Sequence, residues 1–225
     1  MKQLLGGLLA LYVVELVLSA TGAPVQLLAW LPLGQGFAPW QPLTRFAIQG
    51  PSVLNVLIAL AVAWFVFPAL DQLLRREQLG EATLAMAAAA TVLPLTAELA
   101  GVLSPGIIVG WTSLVGGWIV LFGLARPDGE VRLYFVLPVT GQMIVWGMLG
   151  IEVLMLLAAP NTASLEPIGV WVGAWAWWNY RGPGARRRHL RREGARVERE
   201  LRRFQVLDGG RSDSQDGPNR DGWIH

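Results

Sequence analysis

The chain has 225 residues, of which 53% are hydrophobic and 15% are charged, with a formal net charge of +2 and no cysteine. Its apolar residues stand in runs close to the ~20 residues that cross a bilayer, so the composition predicts an integral membrane protein rather than a water-soluble domain. The absence of cysteine excludes disulfides, thiolate metal sites and a cysteine nucleophile. The only lysine is Lys2, and the two histidines are His189 and His225.

Apolar segments along the chain predict an all-α membrane protein with six transmembrane helices. Their bounds are 4–20, 52–70, 84–102, 105–124, 132–158 and 166–179. The first segment has no convincing cleavage site before the next spans, and we interpret it as a retained span. The expected organisation is a membrane domain over 1–180 and a polar cytoplasmic tail over 181–225.

The distribution of positive charge predicts the orientation. With six spans, 17 of the 18 lysine and arginine residues fall on one side of the membrane, and only Arg45 falls on the other. Because positively charged loops stay in the cytoplasm, both termini are expected there, in a bacterial inner membrane. The long first loop, residues 21–50, would then face outward.

Residues 185–204 of the tail are predicted to form a basic helix. The residues after it are predicted to be disordered. Leu190, Val197 and Leu201 form an apolar stripe with Phe204. One interpretation is a solvated tail that enforces the topology, and the other is a helix that lies on anionic lipid or pairs with a partner. No nucleic-acid-binding motif accompanies the arginines, so no nucleic-acid partner is expected.

A motif before the second span carries a resemblance to a known family. Pro39, Trp40, Gln41 and Thr44 precede the span, Asn55 lies near its start, and Asp71 follows its end. This pattern resembles the entry into the second span of the rhomboid-family intramembrane serine proteases, as do the six spans, the long outward loop and the glycine-rich fourth span. The resemblance implies a six-helix rhomboid-like bundle.

The same resemblance implies that the catalytic residues are missing. Pro51 stands where the family has a histidine before Asn55, and Glu166 or Pro167 stands where it has the histidine of the sixth span. One alignment puts Ile108 in the position of the nucleophile. A second alignment puts Ser113 there, more than a turn deeper than the family places its serine.

Chemistry independent of the family leads to the same conclusion. A serine nucleophile needs a base to accept its proton, and no predicted span contains histidine or lysine. Ser113 is therefore a candidate nucleophile only if a glutamate acts as its base. The alternative is a helix residue whose hydroxyl bonds the carbonyl one turn earlier. No zinc motif is present, and we expect neither a metal nor another cofactor.

Polar residues inside the spans predict a different kind of site. Glu15, Glu98 and Glu152 fall in the outer halves of their spans, at a depth similar to that of Asn55. A charge at the bilayer centre costs at least ~2.5–3.5 kcal/mol, so such residues face protein or water. We predict that they form an outward-open binding cavity. The alternative is that these acids are protonated, or paired with backbone and tryptophan N–H groups, and serve packing alone.

Small residues predict which helices approach closely. Gly106 and Gly110 form one Gly-x-x-x-Gly pair, and Gly169 and Gly173 form another, which predicts that the fourth and sixth spans pack together.

The favoured function is that of a rhomboid-like pseudoprotease, whose partners are membrane lipid and the transmembrane segments of client proteins. The alternatives are a divergent intramembrane serine protease that uses Ser113 and a membrane scaffold for lipids or small molecules.

Overall fold

A computed structural model describes residues 2–50, 52–133 and 137–208 of the chain. The chain divides into two units, Met1–Ala185 and Arg186–His225. Pro51, which stands in the position of a family histidine, lies outside the described residues, and so does the end of the tail that was predicted to be disordered.

The described part of the chain is mostly helical. Its α-helices are α1 (Lys2–Ala20), α2 (Gln41–Thr44), α3 (Val53–Leu73), α4 (Arg76–Leu99), α5 (Thr112–Ala125), α6 (Gly141–Ala158), α7 (Leu165–Tyr180) and α8 (Pro183–Asp208). Each of the six predicted spans overlaps one of the long helices that precede α8.

Within the described residues, three helices, α3, α4 and α6, are both long and apolar enough to cross a membrane. The 21 residues of α3 make it about 31 Å long at 1.5 Å per residue, close to the ~30 Å of the hydrocarbon layer. The apolar stretch Gly6–Ala20 of α1 and the helix α5 are shorter. The described residues therefore contain three candidate membrane spans by length and composition.

The fourth predicted span, 105–124, begins as a helix only at Thr112, so its predicted start is wrong. The preceding backbone is extended at Ile108, which exchanges two hydrogen bonds of 3.0 and 3.1 Å with the backbone of Trp30. Gly110 then adopts a φ of +106°, in the left-handed region that favours glycine. The expected helical pair of Gly106 and Gly110 therefore does not exist.

The fifth predicted span, 132–158, also begins too early, and the all-α expectation fails at this point. Strands β1 (Glu130–Leu133) and β2 (Leu137–Thr140) pair antiparallel. The helix α6 starts directly after them, because the Thr140 side chain accepts a hydrogen bond of 3.3 Å from the Met143 N–H and caps its first turn.

Small residues bring α4 and α7 into close contact. A Cβ added at Gly169 would lie 2.7 Å from the Ala89 carbonyl oxygen, and one added at Gly173 would lie 2.7 Å from the Ala85 carbonyl oxygen. The alanine-rich surface of α4 lets the α7 backbone approach this closely. The Gly169 and Gly173 pair therefore packs on the third predicted span rather than on the fourth. The fourth and sixth predicted spans, now α5 and α7, do pack together as predicted, with Gly117 of α5 against Val170 of α7.

The helix α5 lies at the centre of the bundle and packs against α3, α6 and α7. Leu121 of α5 is fully buried and Trp118 is nearly so, and Gly117 lies against Val170 of α7. Because α3 and α6 both pack on α5 and make little contact with each other, a groove is left between them.

The second unit contains the larger part of α8, which includes the predicted helix over 185–204. Leu190, Val197 and Leu201 are exposed. Arg196 donates a hydrogen bond of 3.3 Å to Glu200 four residues later, a pair typical of a solvated helix.

Candidate functional site

A buried amide organises the long loop between α1 and α3. The Oε1 atom of Gln41 accepts the N–H groups of Leu31 and Ala38, both at 3.1 Å, and its Nε2 donates to the carbonyls of Leu27 and Gly36 at 3.4 and 3.3 Å. Both ends of the amide are therefore satisfied within the loop. The glutamine of the sequence motif thus has a structural role in this chain.

Two of the acids predicted to line a cavity hold this loop instead. Glu15 accepts the backbone N–H groups of Gln49 at 2.7 Å and Gly50 at 2.8 Å. Glu98 accepts the backbone N–H of Leu33. Neither acid is among the residues that line the cavity described below. This corrects the expectation of one shared site, since backbone pairing accounts for both Glu15 and Glu98.

The loop also carries a buried cation, Arg45, which is fully buried and forms an ion pair with Glu166 of α7. Its Nε donates to the Pro42 carbonyl at 3.3 Å, and its guanidinium lies 5.3 Å from the ring centre of Trp30 and 4.2 Å from that of Phe46. Burial lowers the pKa of Arg45, and the Glu166 carboxylate opposes that change. The ion pair joins the loop to the start of α7.

Ser113 lies in the first turn of α5, and its Oγ donates a hydrogen bond of 3.0 Å to Oε1 of Glu166. The expected bond to a carbonyl one turn earlier is therefore replaced by a bond to a carboxylate. Because α5 begins at Thr112, Ser113 is the second residue of this helix rather than lying more than a turn inside it. Ile108, the other proposed occupant of the nucleophile position, is 2% exposed and precedes the helix.

Ser113 opens onto a cavity of about 420 Å³, referred to below as the Ser113 cavity. Asn55 of α3, Glu152 of α6 and Glu166 and Pro167 of α7 also line it. The structure thus brings together two of the four predicted binding residues with the serine and the acid of α7. The remaining walls are largely apolar and include Ile58, Ala59, Val62, Val115, Ile119 and Met148.

Two polar groups in this cavity have no internal partner. Within the part of the chain that the structure describes, neither the Asn55 amide nor the Glu152 carboxyl makes a hydrogen bond or an ion pair. Asn55 is exposed, whereas Glu152 is half-buried. Polar groups within membrane-spanning helices are costly unless they meet a polar partner or water.

The carboxylate beside Ser113 is already engaged in an ion pair with Arg45. A carboxylate that accepts the serine proton would have to give up part of its interaction with Arg45, so the ion pair weakens Glu166 as a general base. No group of three or more histidine, cysteine or acidic side chains that could hold a metal ion occurs among the described residues. The site therefore presents hydrogen-bonding groups within apolar walls.

Sequence reasoning missed Arg45 and Gln49 as parts of this region. The Gln49 side chain accepts the Trp111 N–H and donates to the Thr112 hydroxyl, both at 2.9 Å, and so ties the loop to the start of α5. Arg45 could have been found, because it is the only basic residue on its side of the predicted bundle and a buried cation needs an acid. No comparable signal distinguished Gln49.

The chain matches no protein-family model, no curated protein and no solved structure.

Proposed function

We propose that this chain is a rhomboid-like integral membrane protein without proteolytic activity, and that it binds transmembrane segments of client proteins in the Ser113 cavity. The observation that carries the proposal is the pair of unpartnered polar side chains, Asn55 and Glu152, on opposite flanks of a largely apolar cavity. A transmembrane segment with a polar side chain or a broken helical turn offers the matching hydrogen-bonding groups.

The shape of the bundle supports access from the lipid. Asn55 and Ile58 lie on α3, and Glu152 lies on α6, so the cavity has one of these helices on each flank. The rims are apolar, with Ile58 53% exposed and Ile151 53% exposed. An apolar helix can rest on these rims while its polar group reaches the interior.

The same proposal includes six membrane crossings, with both termini in the cytoplasm of a bacterial cell. Its support is the presence of six helices of 14 to 24 residues in the first unit, together with the one-sided distribution of positive charge. In this orientation the long loop and the Ser113 cavity face the outer side.

Site-specific photo-crosslinking tests client binding. A photoreactive residue at Ile58 faces the cavity, and one at Phe65, which is 78% exposed on the same helix, serves as the matched control. The probes are two single-span test proteins, one with an all-leucine segment and one with an asparagine in the outer half of that segment. We expect Ile58 to capture the asparagine segment several-fold more than the leucine segment, and Phe65 to capture both equally.

Substitution of Glu152 supplies the second arm of the experiment. Glu152→Leu should remove the preference for the asparagine segment at Ile58, because the carboxyl that would meet the amide is gone. Equal capture of the two segments by the unsubstituted cavity would sink the proposal.

A divergent serine protease is the second candidate, and the hydrogen bond from Ser113 to Glu166 is the observation that favours it. A fluorophosphonate probe distinguishes the two candidates, because it labels only an activated serine. Our proposal expects no labelling of the wild-type protein in membranes. Labelling that disappears in Ser113→Ala would favour the protease.

A further inference from the structure

A second cavity lies at the end of the bundle where α3 ends and α4 begins. It has a volume of about 470 Å³ and shares no lining residue with the Ser113 cavity. Its walls include Phe67, Leu79, Leu84 and Trp118, and Asp71 and Arg76 also line it. A concave apolar site with a few polar groups is the usual form of a small-molecule site.

Inside this second cavity, the indole N–H of Trp118 is already hydrogen-bonded within the protein. The Trp118 Nε1 donates to the Thr83 hydroxyl at 3.0 Å, and the Thr83 hydroxyl in turn donates to the Leu79 carbonyl at 2.8 Å. The rings of Phe67 and Trp118 lie 4.3 Å apart. These polar atoms are therefore already hydrogen-bonded within the protein, and the remaining surface of the cavity suits a hydrocarbon chain.

The two charged residues that line the second cavity, unlike the polar atoms inside it, have no partner in the part of the chain that the structure describes. Asp71 and Arg76 are exposed, and neither forms an ion pair within the described residues. They stand at the last turn of α3 and the first residue of α4. Since α3 is about as long as the hydrocarbon layer is thick, these charges lie at the depth of lipid headgroups.

We propose that this second cavity binds a zwitterionic aminophospholipid. An acyl chain lies against Phe67, Leu84 and Trp118, the phosphate pairs with Arg76, and the ammonium donates to Asp71. One cation and one anion match the two charges of such a headgroup. An anionic lipid without an amine would meet repulsion from Asp71, and a choline headgroup has no N–H to donate.

This proposal is independent of client binding at the Ser113 cavity, because it needs only that the helices lie in a membrane. Gly80 provides a way to fill the site, since it lines the second cavity and a Cβ added there meets nothing within 4 Å. Gly147 of α6 is the matched control, because it is also helical and a Cβ there also meets nothing within 4 Å. Both positions have room for a Cβ, and only Gly80 lines the second cavity, so a leucine there fills it.

The experiment measures lipid binding to the delipidated full-length protein by native mass spectrometry. The probes are phosphatidylethanolamine, phosphatidylcholine and phosphatidylglycerol with identical acyl chains. We expect the wild type to prefer phosphatidylethanolamine over each of the others by about two- to fivefold, the range of an exposed ion pair. Gly80→Leu should lose this preferred binding, and Gly147→Leu should keep it.

Substitutions of the charged residues separate the two headgroup contacts. Asp71→Asn should remove the preference over phosphatidylcholine, while Arg76→Gln should weaken binding of all three lipids. Equal binding of the three lipids by the wild type would overturn the proposal. Retention of the preferred lipid by Gly80→Leu would overturn it as well.

Discussion

Arg45 and Glu166 lie 121 residues apart in the chain and form a buried ion pair that joins the long loop to the first turn of α7. The same carboxylate oxygen, Oε1 of Glu166, also accepts the hydrogen bond of Ser113 in the Ser113 cavity. One interaction therefore connects the stability of the loop with the chemistry of the candidate site.

Removal of one partner of this pair should be strongly destabilising. Arg45→Met leaves Glu166 as an uncompensated buried charge, and the expected loss is about 3–5 kcal/mol in the free energy of unfolding. The double variant Arg45→Met with Glu166→Leu should be more stable than Arg45→Met alone, because no buried charge is left. Unfolding in mixed micelles measures the single variants Arg45→Met and Glu166→Leu and the double variant. A double variant whose loss of stability equals the sum of the two single losses would contradict the prediction.

Because α4 and α7 pack closely, adding a single methyl group at their interface should lower the stability of the protein. Gly173→Ala would put a Cβ 2.7 Å from the Ala85 carbonyl oxygen, and overpacking of this kind costs about 1–3 kcal/mol. Gly147→Ala, where a Cβ meets nothing within 4 Å, should cause no loss of stability. Thermal unfolding in detergent compares the two, and equal midpoints would show that α7 does not approach α4 this closely.

Because the side-chain amide of Gln41 holds the backbone of the long loop, we expect the folded conformation of the loop to depend on this one side chain. Gln41→Leu leaves the N–H groups of Leu31 and Ala38 without their acceptor, at about 1–3 kcal/mol for each buried group that stays unsatisfied. The loop should then be cleaved faster in limited proteolysis. Leu43→Ala is the control, since Leu43 is 78% exposed and its loss should leave the cleavage rate unchanged.

The two acids Glu98 and Glu152 should behave differently, although the sequence placed them in one site. Glu98→Ala removes the acceptor of the Leu33 N–H, so hydrogen exchange in the peptide that contains Leu33 should become about tenfold or more faster. Glu152→Ala should leave this exchange rate unchanged. Similar acceleration in both variants would mean that the loop and the Ser113 cavity are coupled more closely than these contacts indicate.

The order of the helices was predictable from sequence because apolar runs near the bilayer length mark candidate membrane-spanning helices. The starts of α5 and α6 were not predictable in this way. Residues 105–111 are largely apolar, yet they form loop backbone that pairs with Trp30, and hydropathy alone does not distinguish a buried loop from a helix.

The sequence by itself determined that the chain is mostly helical, suited to a membrane and poor in groups that could activate a serine. Only the tertiary structure decided which acids belong to the candidate site. Glu15 and Glu98 meet loop N–H groups, while Glu152 and Asn55 share a cavity with Ser113. Depth along a helix can be counted from the sequence. The neighbour that a side chain faces depends on the rotation of its helix and on the path of a 30-residue loop. Both are set by contacts between residues that are far apart in the sequence.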